Sequence, residues 1–433
     1  MHKQKNQTSA NSDNVAADSS RREFLKKGIL ASGIVGSGAL ASGIFSPLAA
    51  ADSKQVRDLP LPKESPKPSV EQNLAEFQNA QPITAKGYAA TSKEWKFRPY
   101  NFTRHAVGEH DILLEILYAG ICHSDLHTVS GDHHAPTYPI VPGHEILGKV
   151  IAVGSKVSKF KVGDYAGVGC MVNSCGECEA CKASKEQYCQ NGKTVYTYNS
   201  KDVFHNNDIT KGGYANNIVL SEKFAISVPS NAKLEKVAPL LCAGITTYSP
   251  IMFSAVKKGQ KVAVAGLGGL GHMAAKYMIA LGAEVTAFDI VDKAKEAKAL
   301  GIKRFVNVKN KEFAQIANEF DFIISTIPYH YDVNDYHKML KFGGEMAIVG
   351  LPASSEKTKL NFDAFVWQFQ NKKIYPSVIG GIKETQEMLD YSVKNDIYPD
   401  VEIIPIQKLD EAYQVVAAGK VKFRYVIDMS SLS

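Results

Sequence analysis

The clearest periodic pattern of apolar residues lies in the second half of the chain. Residues 261–265 read Lys-Val-Ala-Val-Ala, a β-branched and apolar run that predicts a buried strand. After a short glycine-rich segment, apolar side chains recur at helical spacing over residues 272–281, and Gly282 ends that helix. Residues 284–288 predict a second strand, which ends at Asp289.

The alternation of strand and helix continues toward the C-terminus. Further strands are predicted at residues 304–308, 320–326 and 344–350. Strands that alternate with helices usually pair in parallel, and the helices cover both faces of the sheet. The pattern therefore predicts an α/β fold with a doubly wound parallel sheet.

The first 51 residues have a different pattern. A polar lead of nineteen residues is followed by Ser20-Arg21-Arg22-Glu23-Phe24-Leu25-Lys26, and then by a mildly apolar run, Gly28–Leu48. Ala49-Ala50-Ala51 offers a small-residue cleavage site, so the segment predicts an export signal, with a lone N-terminal membrane anchor as the alternative. The string at 20–26 closely resembles the bacterial twin-arginine signal, whose machinery exports folded proteins. We therefore expect a periplasmic or otherwise exported protein.

Residues 52–81 are polar and contain four prolines, so they predict a linker or extended arm. No later stretch has 18 uninterrupted apolar residues, and we expect no stable membrane span in the mature chain. The net charge of the 433-residue chain is +6, and it falls to +3 without the first 51 residues. That balance gives no reason to propose nucleic acid as a partner.

Four of the seven cysteines lie within fifteen residues, at Cys175, Cys178, Cys181 and Cys189. An exported protein could use them as disulfides. Their close spacing instead favours four thiolates that converge on one structural zinc ion, with an iron centre as a further alternative.

A second group of metal-binding residue types lies nearby. Gly120 to His127 reads Gly-Ile-Cys-His-Ser-Asp-Leu-His, and residues 141–145 read Val-Pro-Gly-His-Glu. Zinc binds cysteine sulfur and histidine nitrogen, and a catalytic site leaves one position open. Cys122 and His144 can therefore meet at one ion if the chain loops back, and a third ligand must come from elsewhere.

The glycine-rich segment after the first predicted strand reads Gly266-Leu-Gly268-Gly269-Leu270-Gly271. Strand, glycines, helix, strand and terminal acid together match the dinucleotide-binding fingerprint. Gly266 permits the tight turn, Gly268 lets the backbone approach a pyrophosphate, and Gly271 lets helix and strand pack closely. The helix N-terminus then faces the anion.

Asp289 lies 18 residues after Gly271, where an acid can accept hydrogen bonds from ribose hydroxyls. Because an acid there repels a 2′-phosphate, NAD(H) is favoured and NADP(H) stays possible. Lys293 and Lys295 lie close enough to affect this preference, and the alternative is that Asp289 caps the following helix, from Val291 onward.

In chain order, these motifs resemble those of zinc-dependent medium-chain alcohol dehydrogenases, of the cinnamyl-alcohol-dehydrogenase-like group. The matching segments are Gly-x-Cys-His-Ser-Asp, Pro-Gly-His-Glu, the four-cysteine lobe and Cys242-Ala-Gly-x-Thr-x-Tyr-Ser-Pro250. The resemblance runs from about Ile83 to Asp428. It implies a GroES-like, mainly β catalytic domain split over 82–244 and 380–433, and an inserted Rossmann domain at 245–379. It also implies an active site in the cleft between them, and a homodimer or homotetramer.

The resemblance further implies roles for single residues. Cys122, His144 and Cys242 would hold the catalytic zinc, with Glu145 beside the metal. Cys242 would otherwise be interpreted as a core thiol, and Cys170, which matches no ligand position, is interpreted so.

Other matched positions concern proton transfer and the cofactor. Ser124 and His127 would relay a proton, and Asp125 would support a zinc ligand. His123 and Arg424 would contact the pyrophosphate, although a surface arginine is the alternative for Arg424.

We therefore expect reversible hydride transfer between an alcohol or aldehyde and NAD(P). The family often has a tryptophan where this chain has His133, and His134 follows it. A polar pocket mouth favours small or hydroxylated substrates, although both histidines could instead be exposed loop residues. The alternatives are a polyol-type dehydrogenase and an exported zinc- and nucleotide-binding protein without turnover.

Overall fold

A computed structural model describes residues 81–133, 135–353, 361–368 and 370–432. The predicted export signal, the predicted linker up to residue 80 and His134 lie outside these residues. Within the described ranges, no helix combines the length and apolar character needed to cross a membrane.

The strands of the described residues are numbered in chain order. They are β1 Ile83–Ala90, β2 Phe97–Arg104, β3 Asp111–Ile121, β4 Ile146–Val153, β5 Tyr165–Val168, β6 Met171–Asn173, β7 Val195–Tyr196, β8 Lys201–Asp202, β9 Asp208–Ile209, β10 Asn217–Ser221, β11 Ile226–Ser227, β12 Lys261–Ala265, β13 Glu284–Asp289, β14 Arg304–Asn307, β15 Phe320–Ser325, β16 Leu340–Ile348, β17 Lys373–Pro376, β18 Val401–Pro405 and β19 Arg424–Asp428.

The α-helices are numbered in the same way. They are α1 His123–Ser130, α2 Glu179–Lys182, α3 Ala243–Phe253, α4 Gly271–Ala280, α5 Ala294–Ala299, α6 Lys311–Gln315, α7 Val333–His337, α8 Ala364–Gln368, α9 Ile382–Lys394 and α10 Leu409–Ala417. Short 3₁₀ helices are Glu186–Tyr188, Leu234–Lys236, Ala238–Leu241, Ile406–Lys408 and Met429–Ser431.

Six strands form a parallel sheet in the order β14-β13-β12-β15-β16-β17. Numbered from β12, this is the 3-2-1-4-5-6 order of the Rossmann fold. Val262 and Ala263 of β12 point to opposite faces and are both fully buried, as expected for a strand covered on both faces. The predicted doubly wound sheet is therefore confirmed, although β16 begins at Leu340, before the predicted start at 344. The early residues pair with Phe320, and a register shift separates them from the rest of the strand.

A second, mainly antiparallel sheet has seven strands. Six follow the order β11-β5-β4-β3-β19-β18, and β10 also pairs with β3. β3 can hold both β10 and β19 because its first half pairs with β10 and its last residues pair with β19. Strands from residues 111–227 and from 401–428 thus share one sheet, so the C-terminal segment packs beside Cys122, which follows β3.

The two sheets share a continuous apolar core. Leu147 of β4 and Ile226 of β11 belong to the same buried cluster as Val262 and Val264 of β12. Because protein interiors pack densely and resist deformation, this shared core fixes the position of one sheet relative to the other. Side chains from both can therefore meet at one site with defined geometry.

Two local features shape the segment after β3. Helix α1 begins directly after Cys122, whose backbone N–H donates to the Asp125 carboxylate at 2.9 Å, as in a capping box. Gly131 ends the helix at a φ of 78°, a left-handed conformation that suits glycine. The sequence thus places Ser124 and His127 on a short helix of defined length.

Candidate active site

Four side chains from three distant segments form a buried metal-ligand cluster. Cys122 precedes α1, His144 and Glu145 precede β4, and Cys242 precedes α3. One ligand atom from each lies within 4.8 Å of the others, and all four residues are buried. The structure therefore brings together the residues that the resemblance suggested for the catalytic metal.

The geometry of this cluster fits zinc. Two thiolates on a tetrahedral zinc ion lie about 3.8 Å apart, because each Zn–S bond is about 2.3 Å long. The sulfur atoms of Cys122 and Cys242 are 4.0 Å apart. His144 bonds Asp125 through Nδ1 at 3.0 Å, and its buried Nε2 has no hydrogen-bond partner. That nitrogen is thus available as a metal ligand.

The thiols of the cluster influence one another. The hydrogen bond with Cys242 lowers the pKa of Cys122 well below its usual range, and the positive charge of Arg424 acts in the same direction. The bonds with Cys122 and Cys170 raise the pKa of Cys242. Cys170, interpreted from sequence as a core thiol, therefore lies against the metal cluster. Its position in the sequence gave no indication of this contact.

Asp125 supports two of the proposed ligands, and its side chain is fully buried. Its Oδ1 accepts hydrogen bonds from His144 Nδ1 at 3.0 Å and from the Gly143 N–H at 3.1 Å. Its Oδ2 accepts the Cys122 N–H at 2.9 Å and the Tyr214 hydroxyl at 3.3 Å. The contact with His144 was expected, whereas sequence reasoning missed Tyr214.

The predicted proton-relay residues lie on α1. Ser124 is exposed, and its hydroxyl is 3.7 Å from the Cys122 sulfur. His127 is half-buried, and its Nδ1 lies 2.8 Å from Asp132 Oδ2. Sequence reasoning did not identify Asp132 as the partner of His127. The His133 ring lies 4.9 Å from the His127 ring, so His133 is beside this relay and half-buried.

The glycine loop has the spatial properties expected of a dinucleotide site. Gly266 has a φ of 91°, and a Cβ on Gly271 would overlap the Gly266 carbonyl. A Cβ on Gly268 would meet no atom within 4 Å, so the backbone there is open to a ligand. The residues present thus fit a pyrophosphate above the loop.

Arg424 connects this loop to the metal cluster. Its guanidinium donates to the Glu145 carboxylate, and both side chains are buried. The space above Gly269 is occupied by Arg424, whose Cδ would lie 3.0 Å from a Cβ at that position. The alternative of a solvated surface arginine is therefore wrong. His123, the other residue suggested for the pyrophosphate, is half-buried at the start of α1, where burial lowers its pKa.

Asp289 is more constrained than the sequence suggested. Its Oδ2 accepts the Leu267 N–H at 2.9 Å and lies 3.2 Å from Lys293 Nζ, and its Oδ1 accepts the Val291 N–H at 2.9 Å. Helix α5 begins only at Ala294, so the interpretation of Asp289 as its cap is wrong. The carboxylate instead braces the glycine turn.

The four-cysteine lobe forms a second cluster, with its sulfur atoms within 4.8 Å of one another. Cys175 lies 3.4 Å from Cys189 and 3.7 Å from Cys181, and Cys178 lies 4.0 Å from Cys189. These separations again match thiolates around one zinc ion, and all four thiols are free. The disulfide alternative is therefore not borne out by the geometry.

A third group, His105, Asp111 and His205, also brings ligand atoms within 4.8 Å. The two imidazole rings stack at 3.7 Å with an angle of 5° between their planes. Ring lone pairs lie in the ring plane, so parallel stacked rings cannot both direct them at one ion. We assign no metal to this group.

A Rossmann sheet beside a buried cysteine–histidine cluster defines a metal- and dinucleotide-dependent oxidoreductase. Residues 108–230 match the family described as alcohol dehydrogenase GroES-like domain, and residues 269–394 match zinc-binding dehydrogenase. The NADP-dependent alcohol dehydrogenase C 1 of Mycolicibacterium smegmatis is 44% identical over 81% of this chain and 99% of its own. The aldehyde reductase YahK of Escherichia coli is 42% identical over 80% and 99%.

A solved structure is also similar to this chain, in both sequence and fold. The crystal structure of CAD from Helicobacter pylori, complexed with NADP(H), is 51% identical with a TM-score of 0.76, over 81% of this chain and 99% of that one. The chain belongs to the zinc-type medium-chain alcohol dehydrogenase family. Its fold is a GroES-like catalytic domain with a Rossmann nucleotide-binding domain.

The buried ion pair gives a first prediction. Arg424→Met leaves the Glu145 carboxylate buried without its counter-charge, so we expect the free energy of unfolding to fall by about 3 kcal/mol or more. Lys156→Met is the matched control, because its pair with Glu109 is exposed and contributes little to stability. Thermal unfolding measures both, and Glu145→Gln together with Arg424→Met should cost less than the sum of the single changes. If Lys156→Met lowered the free energy of unfolding as much as Arg424→Met does, the stabilising role of the buried pair would be contradicted.

Proposed function

We propose that this protein is a zinc-dependent alcohol dehydrogenase or aldehyde reductase that acts reversibly on primary alcohols and aldehydes with NAD(P). The observation that carries this proposal is the buried cluster of Cys122, His144, Glu145 and Cys242, connected to the glycine loop by Arg424. Its relatives are named alcohol dehydrogenase and aldehyde reductase, in agreement with that chemistry.

The residues present can orient the reactants and move a proton. Zinc held by Cys122, His144 and Cys242 would supply Lewis-acid polarisation of the substrate oxygen, and a dinucleotide on the glycine loop would supply the hydride carrier. The exposed Ser124 hydroxyl accepts the substrate's proton and His127 passes it toward solvent. Asp132, 2.8 Å from His127 Nδ1, fixes the orientation of the imidazole.

A polar pocket mouth supports small or hydroxylated substrates. His133 lies 4.9 Å from His127, and Asp132 precedes it, so the loop after α1 presents charged and polar groups beside the relay. This favours short alcohols, aldehydes and polyols over bulky phenylpropenyl substrates. A polyol-type dehydrogenase is therefore the second candidate.

The proposal is tested with zinc-loaded protein, both cofactors and a panel of alcohols, polyols and aldehydes. We expect turnover and two zinc ions per chain, one in each cysteine cluster. Cys122→Ser should remove one zinc and reduce activity by at least about a thousandfold, because it deletes a ligand at the reacting centre. A chain without turnover on either cofactor would instead support the rival, a zinc- and nucleotide-binding protein. Cys122→Ser would then change metal content alone.

Cofactor preference forms a finer part of the proposal. Asp289 supports NAD(H), because a carboxylate at the end of β13 repels a 2′-phosphate. Lys293 lies 3.2 Å from that carboxylate and offsets part of its charge, so NADP(H) is accepted as well. The M. smegmatis relative is named NADP-dependent and the H. pylori structure contains NADP(H), which makes the measurement decisive.

We predict that wild-type protein has a higher kcat/KM with NADH than with NADPH. Asp289→Ser should lower the ratio of kcat/KM with NADH to kcat/KM with NADPH by about tenfold or more, since a like charge near a phosphate costs about 1.4 kcal/mol or more. Serine removes the negative charge and keeps a polar group at this position. Asp335→Ser is the control, because Asp335 lies on α7 and pairs with Lys338. A wild-type preference for NADPH would overturn the assignment.

Domain organisation and assembly are also part of the proposal. We place the catalytic domain at 82–244 and 380–433 and the nucleotide domain at 245–379. The two sheets support these boundaries, because β12 to β17 form the parallel sheet and the mainly antiparallel sheet takes its strands from the chain before and after them. The resemblance suggests a homodimer or homotetramer.

Export by the twin-arginine machinery is proposed from residues 20–26 and the apolar run after them. The cofactor would then be bound during cytoplasmic folding and carried across. Changing Arg21 and Arg22 to Lys together should retain the protein in the cytoplasmic fraction, whereas Lys27→Arg, just outside the string, should not. Fractionation with detection of the tagged chain measures this. Wild-type protein found only in the cytoplasm would refute export.

A further inference from the structure

The carboxylate of Asp125 is the common support of two proposed zinc ligands. Its Oδ1 accepts from His144 Nδ1, and its Oδ2 accepts from the Cys122 backbone N–H. A rotation of this carboxylate would move the imidazole and loosen the turn that carries the thiolate. The group that fixes the orientation of the carboxylate therefore also fixes the geometry of the metal cluster.

Tyr214 is positioned to fix that orientation. Its hydroxyl donates to Asp125 Oδ2 at 3.3 Å, and the side chain is fully buried. The backbone of residues 212–214 pairs with residues 141–143 through three N–H···O bonds of 2.7, 2.8 and 3.0 Å. The phenol is thereby anchored to the segment that carries His144.

Close packing strengthens this anchor. A Cβ on Gly143 would lie 2.7 Å from Cδ1 of the Tyr214 ring, so the ring lies directly on the glycine backbone. The N–H of Gly143 donates to Asp125 Oδ1 at 3.1 Å. Tyr214 thus supports Asp125 Oδ2 directly, through its hydroxyl. It supports Oδ1 indirectly, because its ring packs on Gly143, which donates to that oxygen.

A second tyrosine extends the chain of hydrogen bonds. Tyr413 on α10 donates its hydroxyl to the Tyr214 hydroxyl at 3.3 Å, and it is also fully buried. Burial raises the pKa of both phenols well above their usual range, and the negative charge of Asp125 raises it further. Both hydroxyls therefore keep their protons, so that Tyr413 donates to Tyr214 and Tyr214 donates to the carboxylate.

We propose that Tyr214 is a positioning residue for the catalytic metal centre, acting through Asp125 on His144 and Cys122, with Tyr413 as its supporting donor. This inference rests on the proposed function, because it assumes that zinc binds the cluster. Tyr214 acts through the Asp125 carboxylate, so it affects metal affinity and ligand geometry and takes no part in the chemical step.

The test is Tyr214→Phe, which removes one oxygen and keeps the ring on Gly143. We expect the catalytic zinc to bind about tenfold more weakly, measured by competition with a chromogenic chelator, because residues that orient metal ligands affect affinity to about this extent. The zinc of the four-cysteine lobe should be retained as in wild type and acts as an internal reference. Cobalt substitution should also show an altered visible spectrum for the catalytic site alone.

Two further variants make the result specific. Tyr413→Phe leaves the Tyr214–Asp125 bond in place, so we expect a smaller loss of zinc affinity, roughly threefold, because the hydrogen bond that it removes lies one step further from the carboxylate. Tyr277→Phe is the matched control, because Tyr277 is equally buried and its hydroxyl bonds Ser392 at 2.8 Å. Its zinc affinity should equal that of wild type.

The possible outcomes separate this inference from the proposed function. Wild-type protein with zinc only in the four-cysteine lobe would overturn the catalytic site itself. Wild type with two zinc ions, and Tyr214→Phe with unchanged affinity and cobalt spectrum, would overturn the role of Tyr214 alone. Equal losses of zinc affinity in Tyr214→Phe and Tyr277→Phe would show that any buried phenol has this effect through overall stability. That result would also overturn the role of Tyr214.

Discussion

The burial of charge around one metal cluster is the constraint on which the site depends. Asp125 and Glu145 are fully buried, and an uncompensated carboxylate in such a position costs several kcal/mol. Asp125 is compensated by backbone and side-chain donors, and Glu145 by the guanidinium of Arg424. These donors come from segments that are far apart in sequence, so the charges are tolerated only when the whole domain has closed.

That requirement explains why the C-terminal segment returns to the mainly antiparallel sheet. β19 pairs with β3 and delivers Arg424 to Glu145, while α10 delivers Tyr413 to Tyr214. Both contacts end at groups beside the metal cluster. The intervening Rossmann sheet is fixed to this arrangement by a shared apolar core. The metal cluster and the glycine loop consequently lie at a junction with defined geometry, and Arg424 contacts both.

Sequence alone predicted the parts of this architecture that depend on local pattern. The strand at 261–265, the glycines, the helix and the strand ending at Asp289 were predicted within one residue, because each depends on its own periodicity and turn chemistry. The convergence of the four cysteines of the lobe was predicted from their close spacing in the sequence. Cys242 required the family resemblance, since an isolated cysteine before a helix resembles an ordinary core residue.

The remaining contacts could not be predicted, because they join residues separated by long stretches of chain. The bonds of Asp125 with Tyr214 and of Glu145 with Arg424 span 89 and 279 positions. No periodicity or motif encodes such a pair. Asp289 shows the same limit at shorter range: its place after β13 was predicted, but its bond to the Leu267 N–H depends on how the glycine turn folds back over the sheet.

Two glycines in the metal-binding motifs show that missing side chains shape the site as strongly as the ligands. A Cβ on Gly120 would overlap the carboxylate of Glu145, and one on Gly143 would collide with Tyr214. Gly143 also has a φ of 100°, which other residues rarely adopt. The glycines of Gly-x-Cys-His and Pro-Gly-His-Glu are therefore needed because neighbouring side chains occupy the space of their Cβ atoms. The ligands of these motifs converge only because the glycines leave that space free.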